Sequence, residues 1–184
     1  MSSAIHVTQL LQAARQGQPH AVEEIWSLVY EELRSLARRQ LRYENPDAML
    51  QATALVHEAF LKLAGAAATA ENRNHFVSIA ARAMRQVLVD EARRRQALKR
   101  GGPQVNTTLC EGTDALAVSS EELLVLDAAL QKLEPRQREI VELRFFGGLS
   151  EVEVAETLGV SDRTVRREWV KARAWLYREL YPAT

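Results

Sequence analysis

Apolar residues recur at intervals of three and four along almost the whole chain, and nowhere does strict apolar–polar alternation run for several residues between hairpin turns. Such spacing gathers apolar side chains on one face of a helix and leaves no candidate strand, so the sequence predicts an all-α protein. One helix is expected over 21–43, where Val22, Ile25, Trp26, Val29, Leu33, Leu36 and Ala37 form a stripe that ends at Asn45-Pro46-Asp47. A second, over 53–64, carries Leu55, Val56, Ala59, Phe60 and Leu63. A third, over 74–99, carries Phe76, Ile79, Ala80, Ala83, Val87 and Leu88, and a weaker helix over 5–15 precedes them all.

The helical spacing lapses once, over 101–122. That stretch holds Gly101, Gly102, Pro103 and Gly112, four carboxylates (Glu111, Asp114, Glu121 and Glu122) and no Lys or Arg, which reads as a flexible acidic linker. The expected layout is therefore two small helical domains, 1–100 and 123–184, joined by 101–122. The formal charge is zero, with 24 basic and 24 acidic residues, but it is unevenly spread. Arg82, Arg85, Arg93, Arg94, Arg95, Lys99 and Arg100 face only Asp90 and Glu91 locally. Arg163, Arg166, Arg167, Lys171, Arg173 and Arg178 face only Asp162 and Glu168. Two separate basic stripes suggest a polyanionic partner more than the net charge does.

The second half is the more legible. Leu123, Leu126, Leu130 and Leu133 form a stripe that Glu134-Pro135 interrupts, with Pro135 suited to open the next helix. Ile140, Leu143 and Phe146 lead to the stop at Gly147-Gly148. Ser150, three residues before Glu153, matches a capping box and starts a helix through Val154, Ala155 and Leu158. Gly159-Val160 makes a tight turn, and Ser161 caps a last helix whose buried side is Val165, Trp169, Ala172 and Leu176. Helix, glycine-containing turn and basic second helix together describe a helix-turn-helix, with Arg163, Thr164, Arg166, Arg167 and Lys171 left facing solvent as candidate DNA contacts. Arginine can bond two guanine acceptors at once, and lysine neutralises phosphates. A solvated basic face on an ordinary bundle is the plainer reading of the same charges.

The run Leu133-Glu134-Pro135-Arg136-Gln137-Arg138-Glu139-Ile140-Val141-Glu142-Leu143-Arg144-Phe145, then Gly148-Leu149-Ser150, Glu153-Val154-Ala155, Leu158-Gly159-Val160-Ser161, Thr164-Val165 and Lys171-Ala172-Arg173, resembles region four of bacterial sigma factors. The first half is similar to region two of the compact extracytoplasmic-function (ECF) group. The resemblance implies an alternative sigma factor that binds core RNA polymerase, recognises −35 and −10 promoter DNA, promotes initiation and catalyses no reaction. It implies that Leu55 to Leu63 corresponds to the polymerase-binding helix, with Thr53, His57, Glu58 and Lys62 as its candidate contacts. It also implies that Phe76 to Arg95 opens and reads the −10 element. Holding an unpaired strand there needs a cationic track, which Arg82, Arg85, Arg93, Arg94 and Arg95 can supply, and a pocket for a flipped base. The loop over 67–74, with Asn72, Arg73 and Asn74, is where the family would seat that base; a simple surface loop is the alternative.

One departure from the family pattern concerns charge. Members of the group carry acidic residues at the start of the polymerase-binding helix, where this chain has Gln51-Ala52-Thr53-Ala54 and no carboxylate until Glu58. Phosphorylation of Thr53 by a Ser/Thr kinase would supply about −1.5 to −2 charges there, at an expected helix N-terminus. Thr53 as a simple helix cap, or a dispensable charge, fits the sequence equally.

The remaining features are expected to be structural or incidental. Cys110 has no disulfide partner, and it and the histidines, His6, His20 and His75 among them, lack metal or triad spacing, so neither metal nor cofactor is expected. Trp26 and Trp169 are expected in cores and Trp175 partly covered. No apolar run suits a membrane span or signal peptide, which points to a soluble cytoplasmic protein without membrane contact. An anti-sigma factor is a further candidate partner. A stand-alone helix-turn-helix regulator and a helical protein-interaction adaptor are the competing functions.

Overall fold

The computed structural model describes residues 2–41, 48–63, 69–100 and 120–182. Their regular structure is helical: α1 (Ser2–Arg15), α2 (Pro19–Leu41), α3 (Ala48–Leu63), α4 (Arg73–Lys99), α5 (Ser120–Lys132), α6 (Pro135–Val141), a π-helical turn (Glu142–Phe146), α7 (Glu151–Leu158) and α8 (Asp162–Leu180). The all-α expectation holds, and the helix starts and stops follow the local chemistry. Asn72 caps α4 by accepting from the His75 backbone N–H at 2.9 Å, and Pro135 occupies the first turn of α6.

Helices α1 to α4 enclose the larger core. The α2 stripe buries Ile25, Trp26, Val29, Leu33, Leu36 and Ala37 against Leu55, Val56 and Ala59 of α3 and Phe76, Ala80, Met84 and Val87 of α4. Trp26 is its hub, meeting Phe60 and Phe76 edge-on with ring centroids 4.8 and 5.7 Å away. These geometries suit the ring quadrupoles, and they pin α2, α3 and α4 at one point. Arg15 ties α1 to the segment before α4 by donating to the Ala70 carbonyl at 2.7 Å.

The last four helices build two smaller clusters. Ile140, Leu143, Leu149, Val154, Ala155 and Val165 form the inside of the helix-turn-helix. Leu130, Leu133, Val141, Phe146 and Ala172 form the other, and Ala81 of α4 is buried among them. The two halves thus meet along a packed seam. Helix α5 begins at Ser120, three residues inside the stretch expected as linker, and its Leu123 enters the larger core. The rest of that stretch, 101–119 with Cys110, lies outside the described residues. At the same seam Gly148 adopts φ 70°, and a Cβ there would stand 2.6 Å from Arg39 Nη1 and 3.1 Å from Leu36 Cδ2. Glycine lets this turn rest directly on α2.

Candidate nucleic-acid interface

The helix-turn-helix is held by its caps. Ser150 Oγ accepts from the Glu153 N–H at 3.3 Å while a Glu153 carboxylate oxygen accepts from the Ser150 N–H at 2.8 Å, the reciprocal capping box. Gly159, at φ 62°, takes the left-handed position that ends α7, and Ser161 Oγ accepts from the Thr164 N–H at 3.2 Å to start α8. Val165 and Ala172 are buried, whereas Trp169, expected as core, is only partly covered because it bridges the two small clusters at their edge. Trp175 is likewise half-covered.

Arg163, Arg166, Arg167 and Lys171 all stand exposed on α8. Thr164 is half-buried, and its hydroxyl shares a 2.9 Å hydrogen bond with Ser161 Oγ, so its first task is to close the cap. Two carboxylates hold the basic side chains in place: Glu168, one of the local acids, and Glu151, to which the sequence did not point. Glu168 pairs with Arg167 at 2.9 Å and Lys171 at 3.3 Å, and accepts from Gln137 Nε2 at 3.1 Å. The Gln137 hydrogen bond, with those of Arg167 and Lys171, pulls its carboxyl from 4.5 down to about 2. Glu151, on α7, pairs with Arg166 at 3.0 Å and Arg144 at 2.8 Å, and these lower its carboxyl below the ordinary range, Arg166 most. Arg144 in turn lies over the Trp169 ring, 4.8 Å from its centroid. The guanidinium of Arg163, among the described residues, makes no such pair. This face is open and cationic, with its charges pre-positioned by acids from the same unit.

The basic stripe of α4 is placed differently. Arg85, expected in the cationic track, is 7% exposed: it reaches Asp127 Oδ1 of α5 at 2.6 Å and Glu142 Oε1 of the π-helical turn at 2.8 Å, and it lies 5.3 Å from the Phe146 ring centroid. Arg82 pairs with Glu142 at 2.8 Å and Glu139 at 3.4 Å. Arg93 pairs with Asp127 at 3.1 Å, and Arg94 and Arg95 each pair with the buried Glu91 of their own helix at 2.8 Å. For Arg82, Arg85 and Arg93 the positive charge is met by carboxylates that lie far along the chain, which charge counting within a segment misses. In this arrangement Arg85 is a seam residue and not part of an open track.

The neighbouring loop is also engaged. The Asn72 side chain is the α4 cap, Arg73 is ion-paired with Glu32 of α2, and Asn74 is a half-buried residue of α4 itself. Residues 67 and 68 of the expected base pocket lie outside the described residues. On α3, His57 is exposed and Glu58 half-buried, and Lys62 is held by Asp90 of α4. Burial pulls the Asp90 carboxyl upward, but hydrogen bonds from Lys62 and Gln86 outweigh it and leave the group below its ordinary range. Leu61, 70% exposed and four residues beyond His57 on the same face, is an apolar neighbour that periodicity did not flag as outward. Helix α3 starts at Ala48, so half-buried Thr53 is its sixth residue and not at the N-terminus as expected. The helix begins five residues before the expected start, which puts Thr53 beyond the first turn where the dipole acts.

A second feature that the sequence did not reveal is an apolar groove on the far side of α8. It is lined by Val125, Phe145, Val170, Tyr177 and Tyr181, all exposed. Phe145 and Phe146 meet edge-on at 5.0 Å and both border the groove, Phe145 exposed and Phe146 buried in the seam cluster. Among the described residues no group of three or more His, Cys, Asp or Glu is placed to hold a metal ion, and no helix is long and apolar enough to cross a membrane.

A capped helix-turn-helix with an exposed cationic second helix is the arrangement with which many DNA-binding proteins enter the major groove. The chain is a member of the ECF sigma factor family, whose model matches residues 4–181. It is thus an alternative sigma factor of transcription initiation. No curated protein matches it. Among solved structures, that of CnrH in complex with the cytosolic domain of CnrY is similar, at 21% identity and a TM-score of 0.43, over 95% of this chain and 97% of that one.

Proposed function

We propose that this protein works in the cytoplasm, where it binds core RNA polymerase and directs it to promoters in two parts, with α8 entering the major groove at the −35 element and α4 handling the −10 element. The observation that carries the reading is the exposed face of Arg163, Arg166, Arg167 and Lys171, three of them steadied by Glu151 and Glu168. Arg163, at the start of α8, is suited to base edges, and Lys171, two turns on, to phosphate. Arg82, Arg93, Arg94 and Arg95 serve the −10 strand together with Asn72, Arg73 and Asn74, while the outer face of α3, with His57, Glu58, Lys62 and Leu61, meets polymerase.

Within that reading, Thr53 is a site for a Ser/Thr kinase. Its position in the second turn of α3 removes the dipole argument, so the added charge alone makes up for the missing carboxylates before Glu58. An anti-sigma factor is a further partner consistent with the family. The test is co-purification with core polymerase, using the wild type, Thr53→Glu and protein phosphorylated at Thr53. Retention of any form supports the polymerase reading, and retention of the charged forms alone supports the switch. If the phosphorylated protein also fails to bind, the two-part promoter reading is wrong and a stand-alone regulator takes its place.

A further inference from the structure

One carboxylate of the recognition helix gathers three donors. Glu168 Oε1 accepts from Arg167 Nε at 2.9 Å and from Lys171 Nζ at 3.3 Å, while Oε2 accepts from Gln137 Nε2 of α6 at 3.1 Å. Its side chain is 12% exposed, against 63% for Arg167 and 58% for Lys171, so a fixed acid lies beneath two outward-reaching cations. The Gln137 hydrogen bond comes from a second helix, which references the direction of Arg167 to α6 as well as to α8. These donors hold the carboxyl at about 2, so the group is ionised near neutral pH.

The atoms used decide what each arginine has left. Arg167 commits Nε to Glu168, and nothing among the described residues engages its two terminal nitrogens. Arg166 commits both Nε and Nη2 to Glu151 Oε2, each at 3.0 Å, which leaves only Nη1 wholly uncommitted. A guanidinium recognises guanine by placing paired N–H groups on O6 and N7. Arg167 retains such a fork at its outer end, whereas Arg166 is left with a group suited to a single phosphate oxygen. Glu168 itself weakens attraction to every phosphate backbone alike, so what it can add is discrimination between sequences.

We propose that Glu168 is a positioning residue that sets sequence preference: by holding Arg167 Nε it presents the two terminal nitrogens to O6 and N7 of one guanine, while lowering affinity for DNA of any sequence. The inference rests on the major-groove role proposed above for α8. Held near its end, Arg167 has less side-chain freedom to lose when it meets the base. It also cannot swing aside to a phosphate without giving up its contact with Glu168, and that difference between base and backbone is selectivity.

The test separates selectivity from affinity. Core RNA polymerase with the full chain, phosphorylated at Thr53 where required, selects from a duplex library with a randomised −35 stretch, and anisotropy of the full chain alone with a labelled mixed-sequence duplex is followed against salt. The wild type, Arg167→Ala and Glu168→Gln are compared. The wild type is expected to prefer guanine at one position by about five- to 150-fold, and Arg167→Ala to lose that preference there alone. Glu168→Gln is expected to reduce the same preference at least about fivefold, yet to bind the mixed-sequence duplex more tightly, with a log–log salt slope steeper by about one to two as Arg167 and Lys171 turn to phosphates. A purely structural role would weaken both readouts together, and that result overturns the proposal, as does a guanine preference that either substitution leaves intact. If the wild type enriches no sequence, the α8 reading falls as well. Should Glu168→Gln not fold, nitrogen relaxation of the wild type decides: Arg167 Nε–H is expected to be as ordered as the α8 backbone while Arg163 Nε–H is mobile, and equal mobility of the two overturns the proposal.

Discussion

Arg85 Nη1 and Asp127 Oδ1 lie 2.6 Å apart, with both side chains 9% exposed, and so fasten the long helix of the first half to the first helix of the second. Forty-two residues separate them in the chain. Breaking a desolvated pair strands a charge, which costs about 3–5 kcal/mol, whereas an exposed pair is worth about 0–1 kcal/mol. Arg85→Ala is therefore expected to lower stability in urea by about 3 kcal/mol, near the low end because Arg82 and Arg93 still face the remaining acids. Arg93→Ala, with its side chain 57% exposed, is expected to cost less than about 1 kcal/mol. Equal costs for the two would contradict this account of the seam.

The larger core hangs on the aromatic group around Trp26. Phe76 is fully buried and meets Trp26 edge-on, so Phe76→Ala removes a large side chain and leaves a cavity. A loss of about 3–5 kcal/mol is expected in equilibrium unfolding. A loss below about 1 kcal/mol would mean that the three helices are not joined at that point.

The capping box sets the angle of the helix-turn-helix. Ser150→Ala removes the acceptor for the Glu153 N–H and the hydroxyl donor to the Glu153 carboxylate, while the backbone N–H at position 150 still donates to that carboxylate, at an expected cost of about 1 kcal/mol. Gly159→Ala, in open space but at φ 62°, is expected to cost about 1–2 kcal/mol through backbone strain alone. Thermal denaturation of the two single variants checks both.

Acid should weaken the recognition unit through Glu168. Its carboxyl sits at about 2 in the folded protein against an ordinary 4.5, so it contributes stability that is fully present above pH 4.5 and is lost as pH falls toward 2. Glu168→Gln removes that contribution. The stability gap between wild type and variant is expected to be constant above pH 4.5 and to narrow below it; a gap that widens in acid would contradict the assigned partners.

The helices, their caps and the helix-turn-helix were legible because each depends on residues within a few positions of one another: Ser150 with Glu153, Ser161 with Thr164, Gly159 at its turn. The candidate contacts on α8 were legible for the same reason, since Val165 and Ala172 fix which side faces out. The state of α4 was not. Arg82, Arg85 and Arg93 look free in a count taken over their own helix, and only tertiary packing brings Asp127, Glu139 and Glu142 to them. The start of α3 was missed because the apolar stripe begins at Leu55, while the helix extends five residues ahead of the expected start on weaker signals. The outward turn of Phe145 beside inward Phe146 depends on the π-helical turn, which sequence spacing does not announce.

Arg163 and its neighbours on α8 are proposed to select promoters for this sigma factor. The most direct test is transcription of genomic DNA fragments by core RNA polymerase with mapping of transcript 5′ ends, comparing the wild type, phosphorylated at Thr53 where required, with Arg163→Ala and Arg167→Ala. The account predicts start sites that appear only when the protein is added and share a −35 sequence, and Arg163→Ala is expected to weaken that sequence preference by about 1–3 kcal/mol per lost base contact. Start sites that are identical with and without the protein, or a preference that both substitutions leave intact, would contradict it.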